Sequence, residues 1–236
     1  MKKTLYIVIL CLITAAAIIF GVVRVIQANV SNLFNFSGWG NWPKLLSSQE
    51  VVSEEGSLAP FHKVTIDMDV ADVKILYGDD FKYEYDCSKD LVPTIEVVDD
   101  VLTVKQSDKV HSVVGNTKSK VILTIKKDTV IEKCDISADV GNVSVKGITM
   151  EQLTIKCDVG NINVDECDIE RVKADADVGN VDIDLTNDLK DYAVTLSASV
   201  GNVKFQGKKV KMQYEKTGSS DKYIDVTADC GNIKVD

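Results

Sequence analysis

The stretch "CDVGNINVD" at residues 157–165 decides the fold, because the chain repeats it almost unchanged. It recurs as "ADVGNVDID" at residues 176–184 and as "ADVGNVSVK" at residues 138–146. Two weaker copies, "ASVGNVKFQ" and "ADCGNIKVD", begin at Ala198 and Ala228. Successive Gly-Asn centres are separated by 19, 19, 22 and 30 residues. Repeats of this length are typical of a solenoid, in which each repeat forms one coil.

Apolar and polar residues alternate on both sides of each Gly-Asn pair. In one copy, Leu153, Ile155 and Cys157 precede the glycine in steps of two, and Ile162 and Val164 follow it. Period-two alternation is typical of a strand with one buried face. Each coil is therefore predicted to be a strand, a Gly-Asn corner and a second strand around one core. The residue directly before the glycine belongs to this predicted inward set: Val140, Val159, Val178, Val200 and Cys230.

The Gly-Asn pairs are predicted to be tight corners. Glycine reaches positive φ without a Cβ clash, and asparagine tolerates left-handed geometry better than most residues. Stacked coils would align the asparagines, whose side chains could then share hydrogen bonds at the strand spacing. A string of β-hairpins is the alternative, because Gly-Asn is also a hairpin turn signal. The predicted corner residues are Gly141, Asn142, Gly160, Asn161, Gly179, Asn180, Gly201, Asn202, Gly231 and Asn232.

Further β-strands are predicted upstream, so that the β-domain covers residues 61–236. Ala71-Asp72 occupies the corner position of a degenerate copy, and Asp99-Asp100 is placed at a hairpin bend. Gly115-Asn116 lacks flanking alternation and is predicted to lie in a loop. The repeat register places four cysteines in core columns as small hydrophobic residues, without a disulfide partner in the same column: Cys134, Cys157, Cys167 and Cys230.

The N-terminal region contains the uncharged run "LYIVILCLITAAAIIFGVV" at residues 5–23. As a helix it would span about 28 Å, which is one hydrocarbon core. We expect a single transmembrane helix at residues 5–27 that acts as an uncleaved signal anchor, and a cleaved signal peptide is the alternative. Residues 1–4, with Lys2 and Lys3, should stay in the cytoplasm. Residues 28–60 would be an aromatic juxtamembrane segment and linker, and the β-domain would lie outside the bacterial cell membrane.

The charge of the chain excludes some functions. Lys2, Lys3 and Arg24 precede the first carboxylate, so that the net charge of −9 becomes −12 after Ala28. Such an acidic surface repels phosphate backbones, which argues against nucleic acid as a partner. The sequence predicts neither a cofactor nor catalytic residues, because no catalytic or zinc-binding motif is present. A stripe of stacked carboxylates could bind calcium, although a solvated acidic face is the favoured interpretation: Asp139, Asp158, Asp177 and Asp229.

The "DVGNVSVKGITMEQLTIKCDVGNINVDE" cycle (residues 139–166), the preceding "VLTVK" strand and the hydrophobic N-terminus resemble the bacterial "putative adhesin" family, also called toast-rack domains. The resemblance covers roughly residues 61–235 and implies a β-solenoid-like, all-β fold in an envelope protein. It also implies a link to envelope-stress responses in some relatives. The family offers no catalytic residues to transfer to this chain.

These observations together predict a membrane-anchored, cell-surface β-solenoid that binds or scaffolds in the bacterial envelope, in envelope-stress response or adhesion, and is not an enzyme. A solenoid lyase or glycosidase acting on surface polysaccharide is the alternative. The expected partners are the membrane, crossed once, and another envelope protein or a second copy. The second copy would pair through the C-terminal solenoid edge, because the chain stops directly after its last repeat.

Overall fold

A computed structural model describes residues 50–106 and 119–236 of the chain. In this part of the chain the structure is built from β-strands, joined by two short 3-10 helices at Lys89–Leu91 and Leu189–Asp191. None of the helices in these residues is long and apolar enough to cross a membrane. The predicted span at residues 5–27 and the predicted loop around Gly115 lie outside the described residues.

The described strands form one continuous, curled sheet. In chain order they are β1 (Val51–Ser57), β2 (Lys63–Val70), β3 (Asp72–Gly78), β4 (Lys82–Ser88), β5 (Thr94–Val98), β6 (Val101–Lys105), β7 (Ser119–Lys126), β8 (Val130–Val140) and β9 (Val143–Lys146). They continue with β10 (Thr149–Val159), β11 (Ile162–Val178), β12 (Val181–Leu185), β13 (Tyr192–Val200), β14 (Val203–Phe205), β15 (Lys208–Val210), β16 (Gln213–Lys216), β17 (Ser219–Cys230) and β18 (Ile233–Val235).

The sheet is folded into two layers that share a core. The first layer has the parallel order β6-β2-β8-β10-β11-β17-β13. The second has the parallel order β7-β3-β9-β11-β12-β18-β14. The long strand β11 contributes its first half to the second layer and its second half to the first. Each coil therefore places one strand in each layer, which confirms the all-β class and the stacking of coils.

The Gly-Asn corners join strands in different layers. Strand β8 pairs with β2 and β10, whereas β9, on the other side of the corner, pairs with β3 and β11. The two strands that flank a corner are not paired with each other, and the hairpin alternative is therefore wrong for these repeats. The hairpin predicted at Asp99-Asp100 is confirmed, because both residues have positive φ and join the antiparallel strands β5 and β6.

The core consists of columns of aliphatic side chains, one residue per coil. In the coil cornered by Gly160, Leu153, Ile155 and Cys157 are buried before the corner, and Ile162 and Val164 are buried after it. The equivalent residues of the other four copies are buried as well. Full burial of a medium-sized aliphatic side chain contributes about 1.5–3 kcal/mol, so these columns supply the main driving force for folding. The predicted inward alternation is confirmed for these positions.

The stacking order of the coils departs from the chain order at the C-terminus. Strands β17 and β18 lie between the coil of β11 and β12 and the coil of β13 and β14. Both edges of each strand are thereby paired, and Asp236 also exchanges backbone hydrogen bonds with Ile183 and Leu185. The predicted free C-terminal edge is therefore wrong. The coil of β13 and β14 ends the stack instead, and the antiparallel strands β16 and β15 pair with it.

The opposite end of the stack begins earlier in the sequence than predicted. Residues 51–57, expected within the linker, form β1, which pairs antiparallel with β4. Glu54 fixes this strand by accepting hydrogen bonds from Tyr83 (2.7 Å) and Tyr85 (2.6 Å). These bonds lower the pKa of Glu54 and raise the pKa of Tyr85 to about 12.

A buried glutamine completes the hydrogen bonding near this end. Gln106 follows β6, where the pairing of β6 with β2 stops. Its side-chain oxygen accepts from the Val70 amide (2.9 Å), and its side-chain nitrogen donates to the carbonyls of Val70 (3.0 Å) and Leu91 (2.9 Å). One side chain thus satisfies backbone groups of Val70 beyond the end of the β6–β2 pairing. Sequence reasoning missed this role, since Gln106 is polar and lies outside the repeat.

Replacing Gln106 with alanine should therefore lower the free energy of unfolding by about 2–4 kcal/mol, because it leaves buried backbone groups without partners. Gln213→Ala, at an exposed position of the edge strand β16, should cost less than about 0.5 kcal/mol. Denaturant unfolding of the full-length chain checks both values. Equal costs for the two variants would contradict the assigned role of Gln106.

Candidate functional site: the glycine–asparagine edge

The corners of the stacked coils form one edge of the domain, which we call the corner edge. Each corner glycine contacts the backbone of the coil beside it. A Cβ atom added to Gly160 would overlap the carbonyl oxygen of Gly141, and one added to Gly179 would overlap that of Gly160. Both glycines also have φ values, +157° and +158°, that residues with a side chain rarely adopt. At Gly160 and Gly179 the corner therefore requires glycine for space and for backbone conformation.

The asparagines after the glycines form a hydrogen-bonded ladder along the corner edge. The side-chain oxygen of Asn142 accepts from the backbone amide (3.1 Å) and the side-chain nitrogen (3.0 Å) of Asn161. Asn161 accepts in the same way from Asn180. The whole ladder runs Asp72, Asn142, Asn161, Asn180, Asn232 and Asn202. The predicted sharing of side-chain hydrogen bonds is confirmed. The order along the ladder differs from the order in the sequence, because Asn232 lies between Asn180 and Asn202.

The residues directly before the glycines are exposed, and their predicted inward orientation is wrong. Val140, Val159, Val178 and Val200 retain 47%, 48%, 50% and 63% of their surface exposure. The reason is that alternation stops at the corner, where two consecutive side chains face outward, as those of Asp177 and Val178 do. Cys230 is exposed for the same reason, whereas the thiols of Cys87, Cys134, Cys157 and Cys167 are buried and free.

These exposed residues, together with the half-buried Val70, form a continuous column that we call the valine stripe. Strand register places Val70 beside Val140, Val140 beside Val159 and Val159 beside Val178. It continues with Val178 beside Cys230 and Cys230 beside Val200. Five strand spacings make the stripe about 24 Å long.

An acidic column accompanies the valine stripe on the first layer. It contains the residue two before each corner: Asp69, Asp139, Asp158, Asp177, Asp229 and, at the end of the stack, Ser199. Burial raises the pKa of Asp139, and the neighbouring charges of Asp158, Asp69 and Asp67 raise it further. Lys156 partly offsets the negative charge of the column through an ion pair with Asp158 at 3.7 Å. Within the described residues, no group of three or more acidic, histidine or cysteine side chains is placed to hold a metal ion.

A group of lysines lies at the β14 end of the second layer. Lys204 lies beside Lys209 of β15 on one side and beside Lys234 of β18 on the other. Lys234 is paired with Asp182 (3.1 Å) and Asp236 (3.0 Å). A shallow depression of about 610 Å³ is lined by these lysines and by the last three asparagines of the ladder. The surface thus has acidic and basic regions on different layers.

A second depression bears on the alternative that the domain is an enzyme. It measures about 270 Å³, lies over strands β1 and β4, and contains Glu54, Glu55, Glu84 and Asp86. The pKa of Glu54 is lowered by its hydrogen bonds to Tyr85 and Tyr83. A carboxyl that acts as the general acid of a glycosidase needs a raised pKa instead. Glu54 therefore stabilises strand β1 and does not have the properties of such an acid.

Gly160→Ala should destabilise the domain by more than about 3 kcal/mol or prevent folding, because both the backbone contact and the φ value oppose a side chain. Gly207→Ala is the matched control. Gly207 also has positive φ, at +69°, but its Cβ would meet nothing within 4 Å, and its replacement should cost only about 1 kcal/mol. Denaturant unfolding measures both, and similar losses would show that conformation alone, and not close stacking, selects glycine.

The geometry defines a class of protein: a stack of parallel β-coils whose repeated corners display columns of exposed side chains. The family model described as Toastrack DUF4097 matches residues 61–187 and 160–236. The chain therefore belongs to the Toastrack DUF4097 family, and the predicted resemblance is confirmed for the β-domain that the family model covers.

A solved structure shares the fold at low sequence identity. It is that of a "putative cell adhesion protein" from Clostridium sporogenes, 18% identical, with a TM-score of 0.58, over 79% of this chain and 99% of its own. A "putative adhesin" from Bacteroides fragilis is more distant, being 14% identical with a TM-score of 0.37, over 80% of this chain and 98% of its own. No curated protein matches the sequence.

Proposed function

We propose that this protein is a binding protein of the bacterial cell surface, and that the stacked β-domain presents the corner edge to an envelope partner. The observation that carries the proposal is the set of continuous exposed columns along the stack. Repetition places one equivalent side chain on every coil at the strand spacing, which suits an extended ligand or a partner surface. The shared fold with a protein named for cell adhesion supports a surface binding role.

The proposal includes a membrane anchor. The uncharged run at residues 5–23 would hold the chain in the membrane as a single helix, with residues 1–4 in the cytoplasm and the β-domain outside. This part rests on the sequence alone. We also propose a role in the response to envelope stress, which the family resemblance supports.

Cys230 offers a test of the location, because its thiol is exposed in the folded domain while Cys87, Cys134, Cys157 and Cys167 are buried. A membrane-impermeant maleimide added to intact cells should label the full-length chain. The Cys230→Ser variant should lose this labelling, which assigns it to the β-domain. Labelling that requires cell lysis would place the domain on the cytoplasmic side and contradict the proposed orientation.

The binding role is tested with the full-length protein in nanodiscs and with separated envelope fractions, namely wall material and membrane vesicles. The protein should sediment with one fraction in a saturable manner, at a dissociation constant on the order of micromolar, while empty nanodiscs should not. Repeating the assay with EDTA tests whether calcium on the acidic column takes part.

Two results would contradict the binding role. One is the absence of saturable sedimentation with any fraction. The other is the release of soluble sugar from the wall material, abolished when a single carboxylate such as Glu84 or Asp86 is replaced by its amide. That second result would favour the enzyme alternative instead.

A further inference from the structure

Apart from Val70, which packs against the core, the valine stripe is an exposed surface outside the buried columns. Single exposed valines are common on soluble proteins, but contiguous apolar patches mark interaction sites. Here Val140, Val159 and Val178 stack directly on one another, each about half exposed. Serine or threonine could occupy the same corner position without disturbing the buried columns. The repeated valine therefore calls for an explanation outside the core.

The acidic column restricts what could cover the stripe. Asp139, Asp158 and Asp177 lie beside one another at the strand spacing, and Asp69 and Asp229 extend the row. Like charges opposite each other in a sheet are destabilising. In the described residues this row has one ion pair to a lysine, that of Asp158 with Lys156. A partner that covers the stripe would gain from bringing cations to this side.

We propose that the valine stripe and the acidic column bind a cationic amphipathic peptide segment. Its apolar face would lie on the valines, and its lysine or arginine side chains would contact the aspartates. The inference rests on the proposed surface binding function and names the class of partner. The stripe length of about 24 Å matches a helix of about 16 residues. The asparagine ladder, which is uncharged beyond Asp72, runs beside the stripe one residue after each corner glycine.

Other occupants fit the same surface less well. Two copies meeting stripe to stripe would bring their acidic columns together, and one row of half-exposed valines is narrow beside the roughly 800 Å² that each partner buries in a stable complex. A bilayer with anionic lipids would repel the aspartates at its surface. A cationic peptide satisfies both the apolar and the charged part of the site.

The natural thiol of Cys230 reports on the stripe, because it lies between Val178 and Val200. The experiment uses the full-length protein in nanodiscs of zwitterionic lipid and follows alkylation of Cys230 by iodoacetamide with mass spectrometry. The probe is a synthetic peptide of about 16 residues, with leucines on one helical face and lysines on the other. It should slow the alkylation of Cys230 about tenfold at saturation. The same peptide with glutamate in place of lysine should change the rate less than about twofold.

Matched variants connect the protection to the proposed surface. Val159→Ser with Val178→Ser should raise the half-protecting peptide concentration about tenfold, because two apolar contacts are lost. Asp158→Asn with Asp177→Asn should raise it about fivefold and weaken its dependence on salt. Val98→Ser is the control, since Val98 is 56% exposed but lies on β5, outside the stripe, and it should leave the concentration within about twofold of the original.

The inference is overturned if the lysine peptide gives Cys230 no protection up to about 100 µM. It is also overturned if the peptide protects Cys230 in the stripe variants at the same concentrations as in the unaltered chain. Its failure is distinguishable from failure of the proposed function. If the Val159→Ser, Val178→Ser variant still sediments with an envelope fraction, the surface binding role stands and uses another part of the domain.

Discussion

The whole stack depends on the close approach of one backbone to the next at the glycine corners. Neighbouring strands are about 4.8 Å apart, and at each corner the glycine is in direct contact with the carbonyl of the adjacent coil. A methyl group at that point would separate two coils and, with them, every column beyond. This explains why the corners are kept while the length between them varies from 19 to 30 residues. Ala71 stands at the equivalent position without a positive φ, and the Gln106 side chain bonds to the backbone of Val70 beside it.

The same constraint determines how much of the fold could be predicted from the sequence. Counted away from the corner, residues such as Ile155 and Val164 alternate strictly, and their burial follows from the pattern. The asparagine ladder follows from stacking alone. The outward orientation of Val159 does not follow from the pattern. Val159 is apolar and lies two residues after Cys157, so that strict alternation predicts an inward side chain. At the corner, however, two consecutive side chains face outward. Periodicity cannot detect such an interruption when the interrupted position is itself apolar.

The order of the coils was beyond prediction for a different reason. Strands β13 and β17 both offer aliphatic columns that fit against β11, so that hydrophobic pattern does not distinguish them. The difference lies in the segments that come after these strands. After Phe205, the hairpin turn at Gln206 and Gly207, both with positive φ, leads to β15 and then to β16, which pair with the outer side of that coil. A coil that carries its own covering strands belongs at the end of the stack. In the part of the chain that the structure describes, the coil of β17 and β18 lies inside the stack, paired on both sides.

Repetition also shapes how the candidate site would act. Most coils contribute one valine and one neighbouring carboxylate, and no single coil would be sufficient for affinity, since a half-exposed valine buries little surface. The contribution is uneven along the stack. Cys230 interrupts the valines, and Ser199 replaces the last carboxylate, where it donates a hydrogen bond to Asp229 at 3.3 Å. Both departures fall at the same end of the corner edge. The apolar and acidic columns are therefore complete only from Val70 to Val178, and a ligand that uses both columns would be held mainly by the coils of Gly141, Gly160 and Gly179.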